Sequence, residues 1–133
     1  MDAVELYSEQ PMKGGFFRME KKIERQTLIL RLDGDLDMKT AETLRQALDH
    51  EIERRGIRIV VLNMEKVKFI DSSGLGVILG RYKKLLALGG KVKISNVPPH
   101  IYKIMELSGL PRIIRFFSDE TAAQADDEDG RGA

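Results

Sequence analysis

The run IRIVVLNMEKVKFIDSSGLGVILGRYKKLLALGG, residues 57–90, changes its hydrophobic period part-way along. Ile57–Met64 is rich in β-branched residues and apolar on both faces, the pattern of a central strand covered from both sides. Lys66–Ile70 is a short approach to Asp71-Ser72-Ser73-Gly74. From Ser73 to Leu88 the period is helical, with Leu75, Ile78, Leu79, Tyr82, Leu85 and Leu86 on one face. Gly89-Gly90 stops that helix.

The flanking sequence continues the alternation. Upstream, Gln26–Asp33 alternates as a strand, and Phe16–Glu24 alternates partly, as an edge strand joined to it by a turn at Glu24–Gln26. Asp33-Gly34-Asp35-Leu36-Asp37 reads as a loop of turn formers, and Thr40 as the N-cap of a helix over 41–55. Leu44, Ala47, Leu48, Glu51 and Ile52 form its inward stripe, and Gly56 its left-handed cap. Downstream come a strand at Lys91–Asn96 and a helix opened by Pro98-Pro99 and closed by Gly109. A strand at Arg112–Phe117 and a helix at Asp119–Ala125 complete the pattern. The order β-β-α-β-α-β-α-β-α makes this an α/β chain with a mostly parallel or mixed sheet. Residues 1–15, with Pro11, Gly14 and Gly15, are expected to be a flexible leader. Residues 16–125 are the domain and 126–133 a disordered acidic tail.

Composition narrows the function. The chain has 133 residues and 42% hydrophobic content, enough for one packed core. It has no cysteine, which excludes disulfides, thiolate metal sites and thiol nucleophiles. Residues 119–133 carry six acids and one arginine, or −5, so the net charge of +1 leaves +6 on the rest. Low aromatic content argues against a stacking platform for nucleic acid. No stretch has the length of a membrane span and no signal peptide precedes the domain, so a cytoplasmic protein is expected.

The glycines of Gly74-Leu75-Gly76-Val77-Ile78-Leu79-Gly80 fail both nucleotide patterns. A dinucleotide fingerprint needs a sixth-position glycine where Leu79 stands, and a P-loop needs Lys-Ser/Thr after Gly80. Neither Ser72 nor Ser73 has the glycine of a nucleophile elbow two places before it. Asp33, Asp35 and Asp37 alternate as oxygen ligands could, but the distal acid of a calcium loop is missing. No cofactor or metal is expected, nor an enzyme. Ser73, Gly76, Val77, Gly80, Arg81 and Lys84 lie opposite the apolar stripe of the helix after Asp71. Two helical glycines there cost about 0.8–1 kcal/mol each relative to alanine. A smooth face with a basic end is the pattern of a docking surface.

Phe69-Ile70-Asp71-Ser72-Ser73-Gly74-Leu75-Gly76-Val77-Ile78-Leu79-Gly80-Arg81-Tyr82-Lys83 resembles the signature of the bacterial anti-sigma-factor antagonists, the STAS domains. It is most like those of the sporulation sigma-F pathway. Gly34–Asp37 with Thr40–Arg45, Ile59–Asn63, and Ser108-Gly109-Leu110 leading to Ile113–Phe116 carry the resemblance further. It implies a four- to five-stranded mixed sheet with about four helices. It also implies that Ser72 is phosphorylated by an ATP-dependent serine kinase that is itself the anti-sigma factor. The unmodified form would bind that partner and free the sigma factor, and a PP2C-type phosphatase would restore it. Asp35, Asp37, Asp71, Ser73, Gly74, Gly76, Val77, Gly80, Arg81 and Lys84 are the expected partner surface. The same domain also serves as a structural subunit of stress-sensing scaffolds, which is the second reading.

Overall fold

The computed structural model describes residues 3–126. Six strands lie in the order β1-β2-β3-β4-β5-β6, one more than the largest number expected. They are β1 (Glu5–Met12), β2 (Gly15–Glu24), β3 (Thr27–Leu36), β4 (Ile59–Ile70), β5 (Lys91–Ser95) and β6 (Arg115–Phe117). The first three are antiparallel, and β3 to β6 pair in parallel. Four helices connect or follow the parallel strands: α1 (Met38–Arg55), α2 (Ser72–Ala87), α3 (Pro99–Leu107) and α4 (Glu120–Ala125).

The extra strand corrects the reading of residues 1–15 as a leader. Glu5–Met12 pairs antiparallel with β2, so β2 is an interior strand and not an edge. Two features hid it. Its register breaks between Leu6 and Ser8, which spoils the alternation. It also contains Pro11, which sheets tolerate at an edge. Its side chains reach α1: Tyr7 donates to the Ala47 carbonyl at 3.5 Å, and Thr43 donates to Gln10 Oε1 at 2.5 Å.

The α1 stripe is buried as its spacing requires, Glu51 included at 1% exposure. Glu51 has Lys21 Nζ at 3.6 Å and Arg55 Nε at 3.8 Å, so its charge is compensated by cations on β2 and on its own helix. The Asp33–Asp37 segment is not a loop. β3 runs through Leu36, and Asp37, rather than Thr40, caps α1. Gly34 makes this possible: its φ is +123°, and a Cβ there would lie 2.9 Å from the Phe16 carbonyl oxygen. Leu86, expected inward, is 57% exposed, while Ile78 and Leu85 are fully buried. The last strand is shorter than expected because Leu110–Arg112 closes into a 3-10 turn.

On the other side of the sheet, α4 is pinned by charge. Glu120 accepts from Arg31 Nε and Nη2 at 2.8 and 2.9 Å and from Asn63 Nδ2 at 2.6 Å. The Arg31 hydrogen bond holds the Glu120 carboxyl below its ordinary value of 4.5. A lowered folded pKa contributes stability above pH 4.5 and loses it as the pH falls through the folded value. Glu120→Gln should therefore cost about 1 kcal/mol at pH 7, with Arg31 too exposed for more. That cost is expected to shrink as the pH falls from 7 to 3. Melting curves of both proteins at the two pH values check this, and an equal gap at both would refute it.

At the end of α4, the buried Lys93 ammonium donates to the carbonyls of Ala123 at 2.8 Å and Asp126 at 2.6 Å. Asp126, assigned to the tail from sequence, is thus tied to the sheet. The remainder of the expected tail, 127–133, lies outside the described residues, as do residues 1–2.

Candidate functional site

Leu36 and Ile70 are register partners at the ends of the parallel neighbours β3 and β4. Each strand is followed at once by an aspartate that caps a helix. Asp37 Oδ1 accepts from the backbone N–H of Lys39 and Thr40, both at 3.0 Å. Asp71 Oδ1 accepts from Ser73 N at 2.8 Å and Gly74 N at 3.3 Å. The Asp71 N–H in turn donates to the Leu36 carbonyl at 3.1 Å, tying the two turns together. Two helix N-termini therefore open side by side, each with a positive end of its macrodipole. The backbone N–H of Thr40 holds the Asp37 carboxyl below its ordinary range.

Ser72 is the first residue of α2 and is exposed. Asp71 satisfies the N–H groups of the next two residues, so the Ser72 hydroxyl is not spent on the cap, and it makes no hydrogen bond among the described residues. Ser73 is partly buried and its N–H is held by Asp71. Gly76 and Gly80 face outward: a Cβ at either would meet nothing within 4 Å. Val77 lies beside them but packs partly on the core.

Three expected surface residues sit differently. Gly74 is buried, and a Cβ there would lie 2.9 Å from Ile70 Cγ1 and 3.0 Å from both Leu36 Cβ and the Leu36 carbonyl oxygen. It lets α2 start against the strand ends rather than facing outward. Arg81 and Lys84 turn toward α1, where Asp49 lies 3.4 Å from Arg81 Nε and 3.0 Å from Lys84 Nζ. Glu53 also pairs with Lys84. The basic end of the face thus serves first to join the two helices. Asp35 gives its carbonyl to the Thr40 hydroxyl at 2.5 Å and sits opposite Phe69 in the register.

Two apolar residues at this end went unremarked in the sequence. Met38 is 75% exposed beside Asp37, and Phe69 is 47% exposed ahead of Asp71. Both are large apolar side chains exposed to solvent at this end of the sheet. The concave site of about 670 Å³, lined by Arg31, Asn63, Lys66 and Asn96 among others, does not include Ser72. His100 is hydrogen-bonded to the Lys68 carbonyl, and His50 lines a different cleft. Among the described residues no helix is long and apolar enough to cross a membrane.

The STAS domain profile matches residues 18–123. The chain belongs to the STAS family. The anti-sigma F factor antagonist of Paenibacillus polymyxa is 39% identical over 106 residues, spanning 80% of this chain and 91% of that protein. Among solved structures, the unphosphorylated anti-sigma factor antagonist SpoIIAA superposes with a TM-score of 0.71 at 31% identity, covering 82% of this chain and 94% of that one. The phosphorylated form of the same Bacillus cell fate determinant gives 0.65 at 31% identity, over 82% and 97%. The STAS fold places the Asp71-Ser72-Ser73 turn at the C-terminal end of a central strand. The sequence resemblance and the STAS match agree on the family, and these relatives are named anti-sigma factor antagonists.

Proposed function

We propose that this chain is a phosphorylation-switched antagonist of an anti-sigma factor, and that Ser72 is the switch. The partner is an anti-sigma factor that is also an ATP- or ADP-bound serine kinase, and a PP2C-type phosphatase resets the cycle in the cytoplasm. The chain acts by binding and catalyses nothing itself. The observation that carries this reading is an exposed, unengaged hydroxyl at the first turn of α2, beside a second capped helix start. A phosphate there adds about −1.5 to −2 charge. Helix N-termini accept such charge, so the fold tolerates it while the docking face becomes more negative.

The face we assign to the partner combines Asp35, Asp37, Asp71 and Ser73 with the outward strip of Gly76, Val77 and Gly80. Arg81 and Lys84 form its rim, and Met38 and Phe69 its apolar border. Gly76→Trp or Gly80→Trp should leave the fold intact, since both positions open to space. Each should weaken partner binding by about 2 kcal/mol, or roughly thirtyfold. Titration calorimetry against the kinase, with circular dichroism as the folding control, tests it. Unchanged affinity in a folded variant would remove the strip from the interface. The switch itself is tested by incubating the chain with its kinase and ATP and mapping phosphate by mass spectrometry.

A further inference from the structure

One carboxylate on α1 holds both cations of the α2 rim. Asp49 Oδ1 lies 3.4 Å from Arg81 Nε and accepts from Lys84 Nζ at 3.0 Å. Its other oxygen, Oδ2, accepts from Arg45 Nη1 at 3.0 Å, and Arg45 is itself paired with Glu42. The carboxylate is thus oriented from its own helix and aimed at the next one. The Arg81 side chain is 17% exposed, and its Nε is buried without a hydrogen bond. Among the described residues Asp49 is the one carboxylate within 4 Å of it. Lys84 has a second in Glu53, about one turn further along α1. On another flank α1 is tied to β1, through Tyr7 to the Ala47 carbonyl and Thr43 to Gln10, so Asp49 stands on an anchored helix.

A helix lying on a sheet can turn about its own axis, and one residue of rotation is about 100°. Ridges of side chains normally fix that angle. On α2 only Gly74, Ile78 and Leu85 are buried, and the outward positions Gly76 and Gly80 have no side chain to form a ridge. We propose that Asp49 is a positioning residue for the docking face: by gripping Arg81 and Lys84 it sets the rotation of α2 at which Ser72, Gly76 and Gly80 point outward. This rests on the reading of that strip as the partner's contact. The two cations then serve the partner indirectly, by acting on α1.

The test is a cycle of variants of the full chain: Asp49→Asn, Arg81→Gln with Lys84→Gln, and all three together. Asp49→Asn and the paired glutamine variant should each weaken binding to the kinase about tenfold, and the triple variant no further, since all break one interaction. Asp49→Glu should restore affinity to within about twofold. In the partner-free chain, residual dipolar couplings of the α2 amides should change in Asp49→Asn while those of β3 and β4 stay fixed. The paired glutamine variant breaks the same grip without leaving a buried cation, so it carries the test if Asp49→Asn melts early. Unchanged α2 couplings in the folded variants would overturn the proposal. So would parent affinity in Asp49→Asn beside a loss in the glutamine pair, which would place the cations directly on the partner. A parent chain that does not bind the kinase would overturn the docking reading instead, and the couplings would still decide whether Asp49 sets the rotation of α2.

Discussion

Ser72→Ala is expected to fold, to hold the anti-sigma kinase as tightly as the parent chain, and to take up no phosphate. The first expectation follows from the cap: Asp71, not Ser72, satisfies the first N–H groups of α2, so the hydroxyl can be lost cheaply. The second follows because the unmodified hydroxyl has no hydrogen bond to lose among the described residues. The third is the removal of the acceptor itself. Fully phosphorylated parent chain should bind the nucleotide-loaded partner about a hundredfold more weakly. Two unit charges about 8 Å apart repel by roughly 2 kcal/mol at an effective dielectric constant of 20, and phosphoserine brings nearly two charges toward a nucleotide. Ser72→Asp should fall between these, with half the charge and less bulk. Phosphate mapped to Ser73 in the Ser72→Ala chain, with binding lost, would move the switch by one residue. Tight binding by the phosphorylated chain would end the switch model altogether.

Gly90→Ala is expected to cost the most stability of any single methyl added to this protein. A Cβ at Gly90 would sit 2.0 Å from the carbonyl oxygen of Arg58, a backbone atom at the start of β4 that cannot rotate away. The same carbonyl accepts the Lys91 N–H at 2.9 Å, so its position is set by the β4–β5 ladder. Relief requires shifting the entry to β5, at about 3 kcal/mol, or roughly 10 °C in melting temperature. Gly74→Ala is expected to cost about 1–3 kcal/mol, because its methyl meets the Leu36 carbonyl and side chains at about 3 Å. Gly76→Ala and Gly80→Ala should instead raise stability by up to about 1 kcal/mol each, through helix propensity alone. Thermal melts of the four variants check the order. A Gly90→Ala chain melting with the parent would mean that the α2–β5 turn relaxes freely.

The fold was legible wherever burial imposes a period. The β4–α2 block reads as strand then helix because the core imposes a period on each, although β4 runs on through Lys66–Ile70, expected as a short approach, and Leu86 faces outward. β1 was illegible for the opposite reason: one side is solvent, the bulge at Leu6–Ser8 shifts its phase, and Pro11 mimics a loop. Asp33–Asp37 misled because turn formers were read as a turn. There Gly34 supplies a close strand approach and Asp37 a cap, each a tertiary role for the same residue type. At the site, the family resemblance, not local chemistry, separates Ser72 from Ser73, since both stand at the same helix start. The placement of Gly74 underneath, and the capture of Arg81 and Lys84 by Asp49, depend on α1 lying against α2, which no local window contains.

The two outer strands have a bearing on self-association. A mixed sheet with open borders would risk polymerising through its unpaired peptide groups. Here one border is interrupted by the Leu6–Ser8 bulge and Pro11, and the other, β6, is only three residues long. Neither offers a run long enough to template another copy. The strand that escaped the sequence pattern is thus a blunted border, one that disfavours edge-to-edge pairing between copies.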